Sequence, residues 1–264
     1  MPVPAAAQPD LNERLVSLGL SENADELVEK GYTVLEDAAP LEFFERLRAR
    51  IVECVAEVGW VVQTGMLLSR GRIFEEAVCN PYVLAVAELL CGKGFILNQM
   101  VGTVRPQGNR GMPLHTDNDL IRDPFPPYPQ VTTAVWACDD FTRDAGCTWV
   151  VPGSHRRRRH PEDGELEDEA VAIECPRGSI LVWDGAIWHG SYARSAPGER
   201  VALHVMFNRM ALRPFETYDL PREVLARNRP EFASLLGLND PFGKSTVLGV
   251  DLERLNWAAR VFRS

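Results

Sequence analysis

The spacing of apolar and polar positions along the chain changes once, near residue 94. Before that point it is helical. Residues 21–28, with Ser21 as N-cap and Gly31 as a natural C′ residue, predict one helix. The stretch Tyr32-Thr33-Val34-Leu35 is β-branched enough for a short strand. Pro40 stands where a longer helix would begin, and Phe43, Phe44, Leu47, Ile51, Val55 and Val58 follow at helical intervals. Another helix starts at Pro81 and carries Leu84, Val86, Leu89 and Leu90. The first fourteen residues, MPVPAAAQPDLNER, read as a loosely ordered tail.

Beyond residue 94 the runs shorten and alternate. Residues 95–104, 131–138, 147–151, 170–173, 179–183 and 200–207 are apolar or alternating, and Gly, Pro and Asp clusters separate them. This punctuation predicts an antiparallel barrel or jelly roll. Past residues 213–214 helical and irregular segments return, including 221–236, and Gly237 onward reads as loop. With no repeat and no linker, the expectation is one domain over 1–264: a mainly helical part (1–93), a jelly-roll core (94–208) and a helical or irregular end (209–264).

Two loops interrupt the β region. Residues 122–129 are too proline-rich for a strand, and read equally as a lid or as a stiff connector. Residues 156–159 are four arginines, and the acids from Glu162 to Glu169 roughly cancel them, so a solvated surface loop is expected.

Composition narrows the class. At 45% hydrophobic and 25% charged, the chain can build an ordinary globular core. A net charge of −9 excludes a general nucleic-acid binder, whose footprint should be basic. Six scattered cysteines without a CxxC pair suit a reduced, cytoplasmic setting better than a secreted disulfide framework. No apolar run approaches the roughly 20 residues that span a bilayer, and the start lacks a basic segment followed by an apolar one. The expected partner is a small molecule, not a membrane or nucleic acid.

The chemistry lies in His115-Thr116-Asp117 and in His189. In an extended strand residues i and i+2 share a face, which would set an imidazole beside a carboxylate. His189 sits on the returning arm of a strand-turn-strand segment, residues 183–191, and would complete two nitrogens and one oxygen around a divalent metal. That set is the facial triad of non-haem Fe(II) oxygenases. Alone, such a triplet is more often a surface or capping feature, so the setting carries the weight. His155, His160 and His204 fit less well as ligands. Arg200 opens an alternating run that is apolar on both faces, so its cation needs an anionic partner. An internal acid and a dicarboxylate co-substrate both meet that need.

Residues 94–208 resemble the phytanoyl-CoA dioxygenase-like family of Fe(II)/2-oxoglutarate-dependent oxygenases. The resemblance is carried by His115 and Asp117, the segment 136–155 ending in Val151-Pro152-Gly153-Ser154-His155, the segment 177–184, and His189-Gly190-Ser191 with Arg200. It implies a mainly β fold with flanking helices around a double-stranded β-helix (jelly roll, cupin-like) core. It further implies Fe(II) held by His115, Asp117 and His189, with 2-oxoglutarate and O2 as co-substrates. Arg200 would bind the distal carboxylate, Ser191 would assist, Trp136 would lie nearby and Gln99 would line the pocket. Oxidation of the substrate would be coupled to release of succinate and CO2. Asp117, where related halogenases carry a small residue, favours hydroxylation or a similar oxidation.

One departure concerns Pro113, where many relatives carry glutamine; Asn98, Gln99 or Asn118 would have to replace that contact. Phe125, Tyr128, Trp149 and Trp188 hint at an apolar natural product or lipid-like metabolite, while Arg156 to Arg159 keep a CoA phosphate in view. Two other classes compete: a cupin-like metal enzyme that needs the triad but not Arg200, and a non-catalytic jelly-roll binding protein.

Overall fold

The computed structural model describes residues 10–59 and 62–238. Its helical part comprises α1 (Leu11–Ser17), α2 (Ser21–Glu29), α3 (Leu41–Val58), α4 (Arg72–Val78) and α5 (Pro81–Cys91), with α6 (Arg222–Arg227) and α7 (Pro230–Leu235) near the end. The strands are β1 (Tyr32–Leu35), β2 (Gln63–Thr64), β3 (Ile96–Pro106), β4 (Met112–His115), β5 (Val131–Ala137), β6 (Thr148–Val150), β7 (Val171–Ala172), β8 (Ile180–Asp184), β9 (His189–Ser191) and β10 (Glu199–Asn208). They form a six-stranded sheet, β1-β8-β5-β10-β3-β2, and a four-stranded sheet, β4-β9-β6-β7, with antiparallel pairing throughout. The fold is the expected jelly roll with flanking helices.

Alternation along the large sheet separates two cores. On β5, Ala134 and Trp136 face the helices, whereas Val135 and Ala137 face the inside of the sandwich. The helix-side core gathers Phe44, Leu47 and Ile51 of α3 with Val83, Val86 and Leu90 of α5. These positions recur every three or four residues, as an amphipathic face requires. α3 lies close to β3: a Cβ at Gly102 would come within 2.8 Å of Ile51 Cγ2, so only glycine admits the helix there.

Local signals explain most boundaries. Asn80 caps α5 by accepting from the backbone of Tyr82 and Val83, with Pro81 in the first turn. α2 begins one residue earlier than expected, with Leu20 rather than Ser21 at the N-cap, and Gly31 follows it at φ 86°.

The tail reading fails from residue 11. Asp10 accepts from Leu11 N at 2.7 Å, Leu15 is buried, and Arg14 pairs with Glu88 of α5 at 2.5 Å. Such a short helix persists through packing that no local pattern announces. Residues 1–9, and the loop expected beyond residue 238, lie outside the described residues. α4 was also unforeseen. Its Glu75 is 3% exposed and held by Arg227 and Asn228, which tie α4 to the end of α6.

The arginine run is not merely solvated. Arg157 and Arg159 lie over the Trp188 ring, Arg159 also pairs with Glu165, and Arg158 donates to the Phe125 carbonyl at 2.6 Å. The 122–129 loop is thereby pinned, with Phe125 1% exposed. No helix of the described residues is long and apolar enough to cross a membrane.

Candidate metal centre and its cavity

β4 and β9 pair so that His115 stands opposite His189, with ring centroids 4.2 Å apart. β4 ends at His115, so Asp117 is not the strand neighbour that the sequence suggested. It sits in the bend beyond, where its N–H donates to the Gly185 carbonyl of the β8–β9 turn at 2.8 Å. That bond does what strand geometry was expected to do. The donor atoms of His115, Asp117 and His189 all lie within 4.8 Å of one another, and Asp117 Oδ1 is 3.6 Å from His189 Nε2.

Hydrogen bonds around the three side chains leave one face free. His115 Nδ1 lies 2.9 Å from the Pro113 carbonyl and His189 Nδ1 lies 3.1 Å from the Ile187 carbonyl. Each Nδ1–H donates to its carbonyl, which leaves each Nε2 lone pair available. Asp117 Oδ2 accepts from Thr133 Oγ1 at 2.5 Å and from Trp183 Nε1 at 2.8 Å, so Oδ1 is the free oxygen. Burial alone would raise the Asp117 carboxyl, but His189, those two hydrogen bonds and His115 hold it below its usual value. Burial likewise pushes His189 down, toward the neutral ring that a metal needs. Two neutral imidazoles and one carboxylate suit a divalent cation such as Fe(II).

The three residues line a cavity of about 230 Å³ between the sheets. Gln99, Val101, Thr103 and Arg105 of β3 line one wall, and Thr133, Trp183, Ser191, His204 and Met206 complete it. Burial, with Arg105 and Arg200 nearby, depresses His204 to about 3, so it is neutral. Gly190 is part of β9, next to His189 and between β4 and β6; a Cβ there would approach Trp149 Cζ2 to 2.5 Å and the Met112 carbonyl to 2.6 Å.

The expected site residues divide. His115, Asp117, His189, Ser191 and Gln99 all line this cavity. Trp136 does not: it is fully buried on the helix side, 5.4 Å from the rings of both Phe43 and Phe44. A one-residue step along β5 changes the face, and the residue that reaches the cavity is Thr133. Arg200 is 2% exposed but is not among the residues lining the cavity. Its guanidinium donates to the Gly146 carbonyl and stacks on Phe141 at 4.2 Å. No acid pairs with it among the described residues, so the internal-acid alternative fails.

Of the three candidates to replace a contact at Pro113, only Gln99 faces the cavity. Asn98 is engaged with Met206 and Phe215, and Asn118 faces elsewhere. Phe125 and Tyr128 line a separate cavity of about 390 Å³, while Trp149 and Trp188 line neither. These aromatics therefore say nothing about what lies at the metal centre. The sequence reading singled out neither Arg105 nor Thr133, gave Trp183 no role of its own, and set His204 aside as a ligand; counting in twos from Gln99 along β3 would have reached Arg105.

Residues 27–202 match the family model of phytanoyl-CoA dioxygenase (PhyH). An uncharacterized protein of Mycobacterium tuberculosis is 28% identical over 199 residues, spanning 68% of this chain and 71% of that protein. Dioxygenase af480 of Aspergillus fumigatus is 25% identical over 172 residues, 63% of this chain and 55% of that one. Among solved structures, EctD from S. alaskensis with 2-oxoglutarate and 5-hydroxyectoine has a TM-score of 0.63 at 19% identity, covering 79% of this chain and 83% of that one. HygX from Streptomyces hygroscopicus, with nickel and 2-oxoglutarate bound, has a TM-score of 0.63 at 15% identity, covering 75% and 90%. These structural likenesses establish a shared fold.

Proposed function

Since the chain belongs to the phytanoyl-CoA dioxygenase (PhyH) family of oxygenases, we propose that it uses Fe(II), 2-oxoglutarate and O2 to hydroxylate, or similarly oxidise, a small organic molecule. His115 and His189 would hold iron through Nε2 and Asp117 through Oδ1. The observation that carries this reading is the convergence of those three donors, with each second atom already committed to a protein partner.

Bound iron would activate O2, with 2-oxoglutarate as the reductant that leaves as succinate and CO2, and O2 would supply the oxidising power. The chain's own residues do the rest. Carbonyls at Pro113 and Ile187 fix the two imidazole tautomers. Thr133 and Trp183 hold Asp117 to one free oxygen. The Ser191 end of the cavity, with the Arg200 cation behind it, would take the distal carboxylate of the co-substrate, and the walls limit water around the reacting atoms. The carboxylate at Asp117 speaks for hydroxylation, desaturation or cyclisation over halogenation.

Asp117 also borders a recess of about 140 Å³ where Leu120, Ile121, Val131, Leu212 and Phe215 alternate with Asn98, Asn118, Asn208 and Arg213. Its mixed walls, apolar with a few polar groups, support a small natural product or lipid-like metabolite as substrate. The six cysteines are all free, which supports a cytoplasmic location, and the net charge of −9 speaks against nucleic acid. The helices share one continuous core with the large sheet, which supports treating the chain as one domain.

The test is anaerobic. Fe(II) and 2-oxoglutarate added to purified protein should give a metal-to-ligand charge-transfer band, and Arg200→Ala should weaken it. No band in the wild type would sink the assignment, and favour a cupin-like enzyme or a binding protein.

A further inference from the structure

The cavity of about 390 Å³ is bounded by α2, α5 and the proline-rich loop, and its volume falls in the range of small-molecule sites. Leu27 and Val28 of α2, Leu89 and Leu90 of α5, and Phe125 to Pro129 give it largely apolar walls. The loop wall is held in place. The Phe125 N–H donates to the Arg158 carbonyl and Arg158 Nε donates to the Phe125 carbonyl, each at 2.6 Å. None of His115, Asp117 and His189 lines this cavity.

The polar groups on its walls are not alike. Arg156 and Arg158 are committed to the carbonyls of Val28 and Phe125. His155 also lies against the Val28 carbonyl, and burial holds its ring below the usual value and neutral. Asp184 and Asn118 are left open. Asp184 is 4% exposed; its Oδ1 accepts from Ala186 N at 2.9 Å, while its Oδ2 has no partner and no cation pairs with it among the described residues. Neither arginine bears on it, since burial, opposed by Ala186 N alone, sets its carboxyl at about 6. Asn118 is 2% exposed, and its Oδ1 is buried without a hydrogen-bond partner. An unpaired acid and a bare amide oxygen are costly out of water, and a ligand carrying N–H donors relieves both.

We propose that this cavity is a second ligand site, distinct from the metal centre, and that it takes an organic ammonium, a protonated amine on a compact apolar body. Asp184 supplies the countercharge through Oδ2, and Asn118 Oδ1 accepts a further N–H. The leucine and proline walls cover the apolar body, which selects an organic cation over a hydrated metal ion. The site stands whether or not iron binds at His115, Asp117 and His189.

Three probes with one aromatic body test this at pH 7.5: benzylammonium, benzyl alcohol and phenylacetate, which are cationic, neutral and anionic. Binding to the purified full chain is read by isothermal titration calorimetry. Benzylammonium should bind about 10- to 100-fold more tightly than benzyl alcohol, the range for a hydrogen bond to a charged group, and phenylacetate should bind most weakly. Asp184→Asn should bring benzylammonium down to the level of the alcohol and leave the alcohol unchanged. Leu89→Trp, which fills the cavity, should weaken both, and Leu89→Phe serves if the larger ring prevents folding. No binding of benzylammonium, equal binding of all three probes, or a benzylammonium affinity that either substitution leaves unchanged overturns the proposal. Tightest binding of phenylacetate overturns it as well, and would assign the cavity to Arg156 and Arg158.

Discussion

Trp183 donates its indole N–H to Asp117 Oδ2 at 2.8 Å, so the one aromatic residue of β8 decides which oxygen of Asp117 faces the two histidines. Thr133 makes the same choice from β5 at 2.5 Å. A carboxylate held twice on one oxygen offers the other as a single, directed ligand.

Removing that support should weaken the metal without touching its ligands. Trp183→Phe keeps the ring and deletes the donor, and Fe(II) affinity should fall by about 10- to 100-fold, the range for loss of such supporting hydrogen bonds. Thr133→Val should act in the same direction. Titration of the apo-protein with Fe(II), followed by competition with a chelator, measures both. His115→Ala removes a proposed ligand outright and should abolish succinate formation while the circular dichroism spectrum stays unchanged.

Trp136 separates stability from chemistry. It packs against Phe43 and Phe44 and faces away from the cavity, so Trp136→Leu should lower stability by about 2–3 kcal/mol through the void it leaves. Co-substrate affinity in the folded fraction should not change. Urea unfolding and the charge-transfer titration, run on one preparation, distinguish the two effects.

Gly190 has no room for a methyl group. A Cβ at this position would stand only 2.5 Å from Trp149 Cζ2 and 2.6 Å from the Met112 carbonyl, so Gly190→Ala must push β4 and β9 apart. The expected cost is about 2 kcal/mol or more from overpacking, together with weaker metal binding because His189 is the adjacent residue. Thermal melting with and without Fe(II) would show a smaller metal-induced stabilisation than in the wild type.

Asp184 gives stability a pH dependence of its own. It is 4% exposed, and burial raises its carboxyl from 3.8 to about 6 against a single opposing hydrogen bond from Ala186 N. A raised carboxyl binds its proton more tightly in the folded state. It therefore favours folding below about pH 4, and this is lost as pH rises through 6. Above that, the buried charge costs about 2–3 kcal/mol at 1.36 kcal/mol per unit. Asp184→Asn keeps the acceptor for Ala186 and should raise the melting temperature at pH 7.5, with the gain fading toward pH 4. A gain that is constant with pH would refute this origin.

Much of this architecture is legible in the chain. The strand at residues 32–35, the α3 and α5 helices and the alternating runs after residue 94 follow from period and punctuation, because burying one face of a regular element forces that pattern. What the pattern misses is short and held from outside. α1 depends on the Arg14–Glu88 pair, and α4 on Arg227 and Asn228 reaching Glu75.

The same division runs through the site. Residue types, their order and the family resemblance suffice to pick out His115, Asp117 and His189 as candidate metal ligands, because few side chains carry suitable donors and their setting in a β-rich segment is visible. They also require an anion for Arg200, since both faces of its strand are apolar. Packing between distant strands, in contrast, aims Asp117 through the β8–β9 turn and Trp183 rather than through strand geometry. It turns Trp136 toward the helices, and it sets Arg105 in front of Arg200. Register, face and hydrogen-bond partner are relations between strands far apart in the chain, and a one-residue step along any of them exchanges the cavity for the core.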